Sequence, residues 1–315
     1  MEQDRFIKAC RTGDIETLKS LDYSKIDIHV DEEIAFRLAC YNSHLPIVKY
    51  LLSLEPEYGQ FDIHAKHEDA FRLTCYYGYL DTVKFLLSLE ETHGRINIHA
   101  CAEVAFRSAC ANDNLNVVKF LLSLEPKYGQ IDIHAENEYA FRLACENDNL
   151  NFVKFLLSLE PAYGQIDIHV WDEYAFCFAC ENDNLNIVQF LLALEETHGK
   201  IDIHASDEYA FRNVCRGCQL HVVKFLLSLE ETRGKIDIHA SDDSIFASSN
   251  FQIQYLLIQH EPSYNWRKIP AYKLYHRKLD QIVEQLVQLH QKMIQLRTDI
   301  LELNVIGIVQ EFLLG

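Results

Sequence analysis

The amino-acid sequence predicts an all-α fold, a solenoid of stacked helix-turn-helix repeats with a C-terminal helical extension. Three observations predict it. A tetrad that ends in histidine recurs every 35 residues, apolar side chains follow a helical spacing twice per period, and the 315 residues include only 11 Gly and 6 Pro. Periods of roughly 20–50 residues are typical of stacked supersecondary units. The scarcity of Gly and Pro favours helices joined by short connections.

Two ladders of residues define the period. Ile-Asp-Ile-His, or a close variant of it, ends at His29, His64, His99, His134, His169, His204 and His239. The second ladder comprises Cys40, Cys75, Cys110, Cys145, Cys180 and Cys215. Equivalent positions on packed helices lie about 8–10 Å apart, whereas zinc requires each imidazole nitrogen at about 2 Å. We therefore predict histidines that satisfy local backbone groups, and cysteines that are small buried residues of each first helix.

One repeat, read from Glu138, justifies each element in order. Residues 138–145 place apolar side chains at helical spacing, and the following Asn-Asp-Asn ends this helix because Asn and Asp tolerate left-handed backbone. Residues 150–159 form a second amphipathic helix, and residues 165–169 are extended after Pro161 and Gly164. Neither helix can bury its apolar face alone, so neighbouring repeats must stack.

A glutamate and an arginine stand four residues apart in five repeats, as in Glu138 and Arg142. This order predicts ion pairs along an exposed face of each first helix. The repeat that contains Glu173 is different, because it has Cys177 in place of the arginine.

These segments resemble the ankyrin repeat. Residues 141–145 (FRLAC), 147–150 (NDNL) and 153–157 (VKFLL) are similar to the pattern T-P-L-H-x-A-A, x-G-H-L and V-V-x-L-L-L of that family. The resemblance covers residues 1–261, as about eight repeats with both end repeats degenerate. The finger is shorter and the period is 35 instead of 33, which resembles arrays of giant viruses and of bacteria that live inside other cells.

The resemblance implies a non-enzymatic protein–protein interaction module that binds its partner through a concave groove. With such an origin, the chain would be a host-directed effector in the host cytoplasm.

Repeated residues hold the stack, so we expect function in the columns that vary. Trp171, Tyr174 and Phe178 share one helical face, and Tyr139 and Tyr209 hold equivalent positions in neighbouring repeats. Such an aromatic cluster is typical of an interface hot spot, although Tyr174 and Phe178 could instead cover the core between repeats. The predicted binding surface consists of Trp171, Tyr174, Phe178, Tyr139, Tyr209, Glu146 and Glu181.

Charge and motifs exclude several other functions. The net charge is −18, and residues 1–261 carry −20 from 22 Lys and Arg against 42 Asp and Glu. Nucleic acid and anionic membranes are therefore poor partners, and a protein with a basic face is expected.

Nucleotide-binding, zinc-protease and serine-hydrolase motifs are absent, which predicts no enzyme and no cofactor. The pairs Cys177/Cys180 and Cys215/Cys218 resemble half-sites for zinc, but ladder cysteines are expected to be buried, so no metal site is predicted. Ten cysteines without a signal peptide or membrane span predict a cytoplasmic location.

Residues 262–315 have a different composition and a net charge of +2. Apolar residues recur there every three or four positions, at Leu279, Ile282, Leu286, Leu289, Met293, Leu296, Ile300 and Leu303. This stripe could cap the last repeat, form a dimeric coiled coil over Leu279–Leu303, or dock a partner. The flanking positions offer little charge pairing for a dimer, which favours a capping helix and a monomer.

Overall fold

The structure, a computed structural model, describes residues 2–241 and 244–295, with side chains to residue 288. These residues form α-helices and short 3₁₀ helices, with no β-strand among them. The chain divides after Ile168 into an N-terminal and a C-terminal unit. Within each unit, helices of consecutive repeats pack side by side. The predicted all-α helix-turn-helix fold is confirmed.

Each repeat contributes a first helix, a second helix and, in most repeats, a single short turn of helix. The first helices are Glu2–Thr12, Val30–Tyr41, Ala65–Tyr76, Ala100–Ala111, Ala135–Glu146, Val170–Glu181, Ala205–Arg216 and Ser244–Ser248. The second helices are Ile15–Ser20, Leu45–Leu52, Leu80–Ser88, Leu115–Ser123, Leu150–Leu157, Leu185–Leu192, Leu220–Ser228 and Phe251–His260. The short turns are Tyr23–Lys25 (3₁₀), Glu55–Tyr58, Glu90–His93, Glu125–Tyr128, Glu160–Tyr163, Glu195–His198 and Glu230–Arg233.

The core of each repeat is built from the ladder positions. In the repeat that begins with Ala135–Glu146, the side chains of Phe141 and Cys145 are buried, as are Val153 and Leu156 of the second helix. Burying a large apolar side chain stabilises the fold by about 1.5–3 kcal/mol. Loss of solvation raises the pKa of the Cys145 thiol, which therefore stays neutral. The ladder cysteines are buried free thiols, as predicted.

The turn between the two helices is left-handed at one residue. Asp148 has φ of 57°, and the side chain of Asn149 accepts a hydrogen bond from the Phe152 amide at 3.0 Å. Asn149 therefore satisfies an amide that the start of the second helix leaves unpaired. This confirms that Asn and Asp end the first helix here.

The C-terminal unit ends in a 3₁₀ helix, Trp266–Lys268, and a long helix, Pro270–Gln295. Trp266 is buried beside Phe246 at 5.1 Å between ring centroids, and Tyr275 stacks on Phe251 at 4.6 Å. The start of this segment thus packs on the last helix pair.

The rest of the long helix is more exposed. Of the predicted apolar stripe, Leu279, Ile282 and Leu286 are half-buried, while Val283 and Val287 beside them are exposed. The other predicted members lie outside the described side chains, namely Leu289, Met293, Leu296, Ile300 and Leu303. Within the described ranges, no helix combines the length and apolarity needed to cross a membrane.

Candidate functional site

Among the described residues, six repeats begin their first helix with a left-handed turn of three consecutive residues. In the sixth repeat these residues are Trp171, Asp172 and Glu173, with φ of 55°, 52° and 65°. A side chain with a Cβ atom costs about 1–2 kcal/mol in this conformation. Each left-handed turn therefore needs other contacts to hold it.

A histidine and a glutamate clamp each left-handed turn to the next repeat. Nδ1 of His134 contacts the carboxylate of Glu138 at 2.8 Å, and Nε2 donates to the Tyr163 carbonyl oxygen at 3.0 Å. The same carboxylate accepts a hydrogen bond from the Asp167 amide at 3.1 Å. Partial burial alone would lower the pKa of His134, but these bonds and the Glu138 and Asp132 charges raise it above 6.5. The prediction that the ladder histidines satisfy backbone groups is therefore confirmed for the Nε2 atom, which bonds a carbonyl oxygen.

The predicted ion pairs between glutamate and arginine are wrong. Glu138 is buried, because the left-handed turn directs its side chain toward the following repeat instead of along an exposed face. The arginine has a different role, which the fourth repeat shows. There Arg107 donates from Nε to the Ala102 carbonyl oxygen at 2.6 Å and from Nη2 to the Cys101 carbonyl oxygen at 3.1 Å. These two carbonyls belong to the left-handed turn, so the arginine closes it.

The guanidinium of Arg107 also lies over the ring of Tyr139, with 4.9 Å from Cζ to the ring centroid. Tyr139 belongs to the next repeat, so this cation–π contact joins two repeats. We call the space between the left-handed turn and this ring the arginine slot.

In the sixth repeat the arginine slot holds no arginine of that repeat. Cys177 stands in its place, buried, with its Sγ 3.9 Å from the Asp172 carbonyl oxygen. A pocket of about 280 Å³ opens there, lined by Trp171, Asp172, Tyr174, Cys177, Phe178 and Tyr209, among others.

The aromatic side chains of this pocket form a continuous cluster. Trp171 packs edge to face on Tyr174 with 5.7 Å between ring centroids, and Tyr174 stacks on Phe178 with 4.0 Å between centroids. The centroid of the Phe178 ring is 6.3 Å from that of Tyr209. Trp171 is 58% exposed, whereas the other three side chains are half-buried. We call these four residues the aromatic cluster.

The remaining predicted residues lie elsewhere on the two units. Tyr139 and Glu146 belong to the N-terminal unit, where both are half-buried. Glu181 belongs to the C-terminal unit and accepts a hydrogen bond from Asn213 at 3.0 Å. Glu181 thus has a structural partner as well as an accessible surface.

The N-terminal unit contains a second aromatic group, which was not predicted from the sequence as a binding surface. Tyr41, Tyr76 and Tyr77 are 38%, 40% and 37% exposed, and the Tyr77 hydroxyl donates to that of Tyr41 at 2.8 Å. Tyr41 and Tyr76 occupy one column, 35 residues apart, and this recurrence is the signal that could have identified them.

The cysteine pairs do not converge on a metal. Cys177, Cys180 and Cys215 are buried while Cys218 is exposed. The described part of the chain contains no group of three or more His, Cys, Asp or Glu residues placed to hold an ion.

Comparison with known proteins identifies the repeats. A family model described as ankyrin repeats, in three copies, matches residues 6–100, 72–170 and 106–207. A solved structure of an ankyrin repeat family protein from Legionella pneumophila is 22% identical, with a TM-score of 0.35, over 72% of this chain and 70% of that one. No curated protein matches. Because the family model covers more than half of the sequence, the chain belongs to the ankyrin-repeat family, whose members generally serve as protein–protein interaction modules.

Proposed function

We propose that the chain binds a protein partner through the aromatic cluster of its C-terminal unit, with Glu181 beside it in the repeat. Tyr139 and Glu146 hold the equivalent repeat positions in the N-terminal unit and are included as partner-binding residues. The observation that carries the proposal is the exposure of Trp171, at 58%. Exposed Trp and Tyr side chains are enriched among the residues that dominate binding energy.

The local backbone supports this role. Trp171 sits in the left-handed turn, which His169 and Glu173 hold through a contact of 2.9 Å between Nδ1 and the carboxylate. The indole is thus displayed from a fixed backbone, and binding requires little further ordering of the chain.

Charge indicates the kind of partner. Asp172 is exposed and lines the same pocket as the aromatic cluster, and residues 1–261 carry a net charge of −20. A partner with a basic face would gain from this field both in association rate and in specificity. A cytoplasmic location and a host protein as the partner stay predictions.

Affinity capture followed by a quantitative binding assay tests the proposal. We expect Trp171→Ala to weaken binding of the captured partner by about 30-fold or more, the loss typical of a hot-spot residue. Cys101→Ala is the matched control, because Cys101 is the exposed residue at the equivalent position of the fourth repeat. Equal affinities for wild type and Trp171→Ala, with both proteins folded by circular dichroism, would contradict the proposal.

The alternative function is assembly through the C-terminal helix, and one observation bears on it. The apolar stripe at Leu279, Ile282 and Leu286 is only half-buried, although Trp266 and Tyr275 before it are buried. We propose that residues 1–261 form the array, and that residues 262–315 cover its end and then continue as a helix. We favour a monomer. Light scattering on the full chain tests this. A dimer that becomes a monomer in the double variant Ile282→Glu/Leu286→Glu would establish assembly instead.

A further inference from the structure

The arginine slot of the sixth repeat has the same geometry as the filled slot of the fourth. The two slots are 70 residues apart, so Cys177 corresponds to Arg107, and Tyr209 corresponds to Tyr139. Trp171 has φ and ψ of 55° and 52°, and its counterpart Cys101 has 55° and 48°. Asp172 and its counterpart Ala102 agree as closely, at 52° and 59° against 53° and 61°. The two carbonyls that receive Arg107 in the fourth repeat therefore have counterparts with the same orientation.

The slot of the sixth repeat differs from that of the fourth in what fills it and in the side chains around it. The Cys177 side chain ends against the left-handed turn, with its Sγ 3.9 Å from the Asp172 carbonyl oxygen, and a pocket of about 280 Å³ remains. A water molecule takes up about 30 Å³ in the liquid, so the pocket has room for a planar head group and part of its stem. Arg212 of the next repeat does not fill it, because its guanidinium donates to Ser206 O and to Ser241 Oγ of the eighth repeat.

The chemistry of the walls favours a cation. The carbonyl oxygens of the left-handed turn are acceptors, and the Asp172 carboxylate adds a negative charge while it accepts a bond from Ser206 Oγ at 3.3 Å. Burial raises the pKa of the Cys177 thiol to about 12, so this side chain stays neutral. Tyr209 provides an aromatic face, as Tyr139 does for Arg107. Trp171, Tyr174 and Phe178 provide apolar surface for a methylene stem.

We propose that the slot at Cys177 receives an arginine side chain of the protein partner, in the manner in which the fourth repeat holds its own Arg107. The occupant is a guanidinium because its planar fork can donate to two neighbouring carbonyls and lie on a ring at once, whereas a lysine ammonium is a compact point charge. This inference rests on the proposed function, since it names the partner group that the aromatic cluster binds.

The test uses full-length protein labelled with 5-fluorotryptophan and three capped tripeptides, Gly-Arg-Gly, Gly-Lys-Gly and Gly-citrulline-Gly. The fluorine resonance of Trp171, assigned with Trp171→Phe, reports the slot, and buried Trp266 is the internal reference. We expect a saturable shift with the arginine peptide, at least tenfold weaker binding of the lysine peptide, and no saturable shift with citrulline, which lacks the charge. Equal responses to the three peptides would overturn the inference.

Two substitutions provide an independent readout. Cys177→Arg introduces the residue that the fourth repeat has at this position. The new side chain should fill the slot and weaken binding of the arginine peptide at least tenfold. Arg107→Cys should open a second slot under Tyr139 and raise the stoichiometry from one peptide to two. Unchanged binding in Cys177→Arg would refute the assignment, whether or not the second slot opens.

The partner assay separates this inference from the proposed function. If Trp171→Ala weakens partner binding but Cys177→Arg does not, then the proposed binding surface is supported and the proposal that the slot receives a partner arginine is wrong. If the slot binds the arginine peptide but Trp171→Ala leaves partner affinity unchanged, then the slot stands and the proposed function is wrong.

Discussion

Replacing Glu138 with alanine tests whether the clamp between histidine and glutamate holds the repeats together. The substitution removes the acceptor of His134 Nδ1 at 2.8 Å and of the Asp167 amide at 3.1 Å. Both hydrogen bonds are partly buried, and the cost of about 1–3 kcal/mol for a fully buried donor without a partner is the upper limit for each. The left-handed turn at residues 136–138 itself costs about 3–6 kcal/mol at 1–2 kcal/mol per residue, and the clamp must offset that strain. We expect a loss of about 3–4 kcal/mol in the free energy of unfolding.

Glu136→Ala is the matched control. Glu136 lies in the same left-handed turn and carries the same charge, but its side chain is exposed. Its substitution should change stability by about 0.5 kcal/mol or less, as for most surface positions. The assay is urea unfolding followed by circular dichroism, together with hydrogen exchange across residues 135–169, because repeat arrays can unfold in parts. If Glu138→Ala and Glu136→Ala lose the same stability, the clamp does not have the role assigned to it.

Three further predictions concern the clamp histidines, Trp266 and Gly129. The pKa is raised on folding at His29, His64, His99, His134 and His204. Their contribution is therefore fully present below the unfolded pKa of about 6.5 and is lost as pH rises through the higher folded values, so the urea midpoint should be greater near pH 6 than near pH 8.5. Persistence of this difference in about 1 M salt would separate it from general acidic repulsion, and a higher midpoint at the higher pH would contradict it. Trp266→Ala should cost about 3–5 kcal/mol, because the buried indole packs on Phe246 and donates to Glu261 O at 2.9 Å. Faster hydrogen exchange should then be confined to the C-terminal unit, and equal acceleration of both units would be evidence against it. Gly129→Ala should cost about 1–3 kcal/mol in a urea titration, because φ of 101° with ψ of 163° is a conformation that glycine alone adopts readily, and an unchanged midpoint would refute this.

Periodicity alone predicted the fold class and most of the core. The step of 35 residues placed the counterparts of Phe141 and Cys145 at buried positions in the second to seventh repeats, because a stack of similar units must bury the same faces. It also separated the columns that hold the stack from those that vary, which led to Trp171.

The start of each first helix could not be predicted in this way. Helical spacing places Glu138 and Arg142 on one exposed face, yet the left-handed turn buries the glutamate and directs the arginine to backbone carbonyls. Residues such as Trp171 or Lys66 have no local preference for left-handed backbone. Contacts with the following repeat impose it, and those contacts are remote in sequence.

The sequence by itself therefore determined the repeat, its helices, its buried ladders and its acidic surface, since these depend on local spacing and composition. Only the tertiary structure decided what the replacement at Cys177 means. From the sequence alone, Cys177 is either a replacement of the arginine found in other repeats or a member of the pair Cys177/Cys180. In the fold, the arginine would lie between two backbone carbonyls and a tyrosine of the next repeat, so its absence leaves a pocket beside the exposed Trp171. The pocket depends on groups from two repeats that meet only when the chain is stacked.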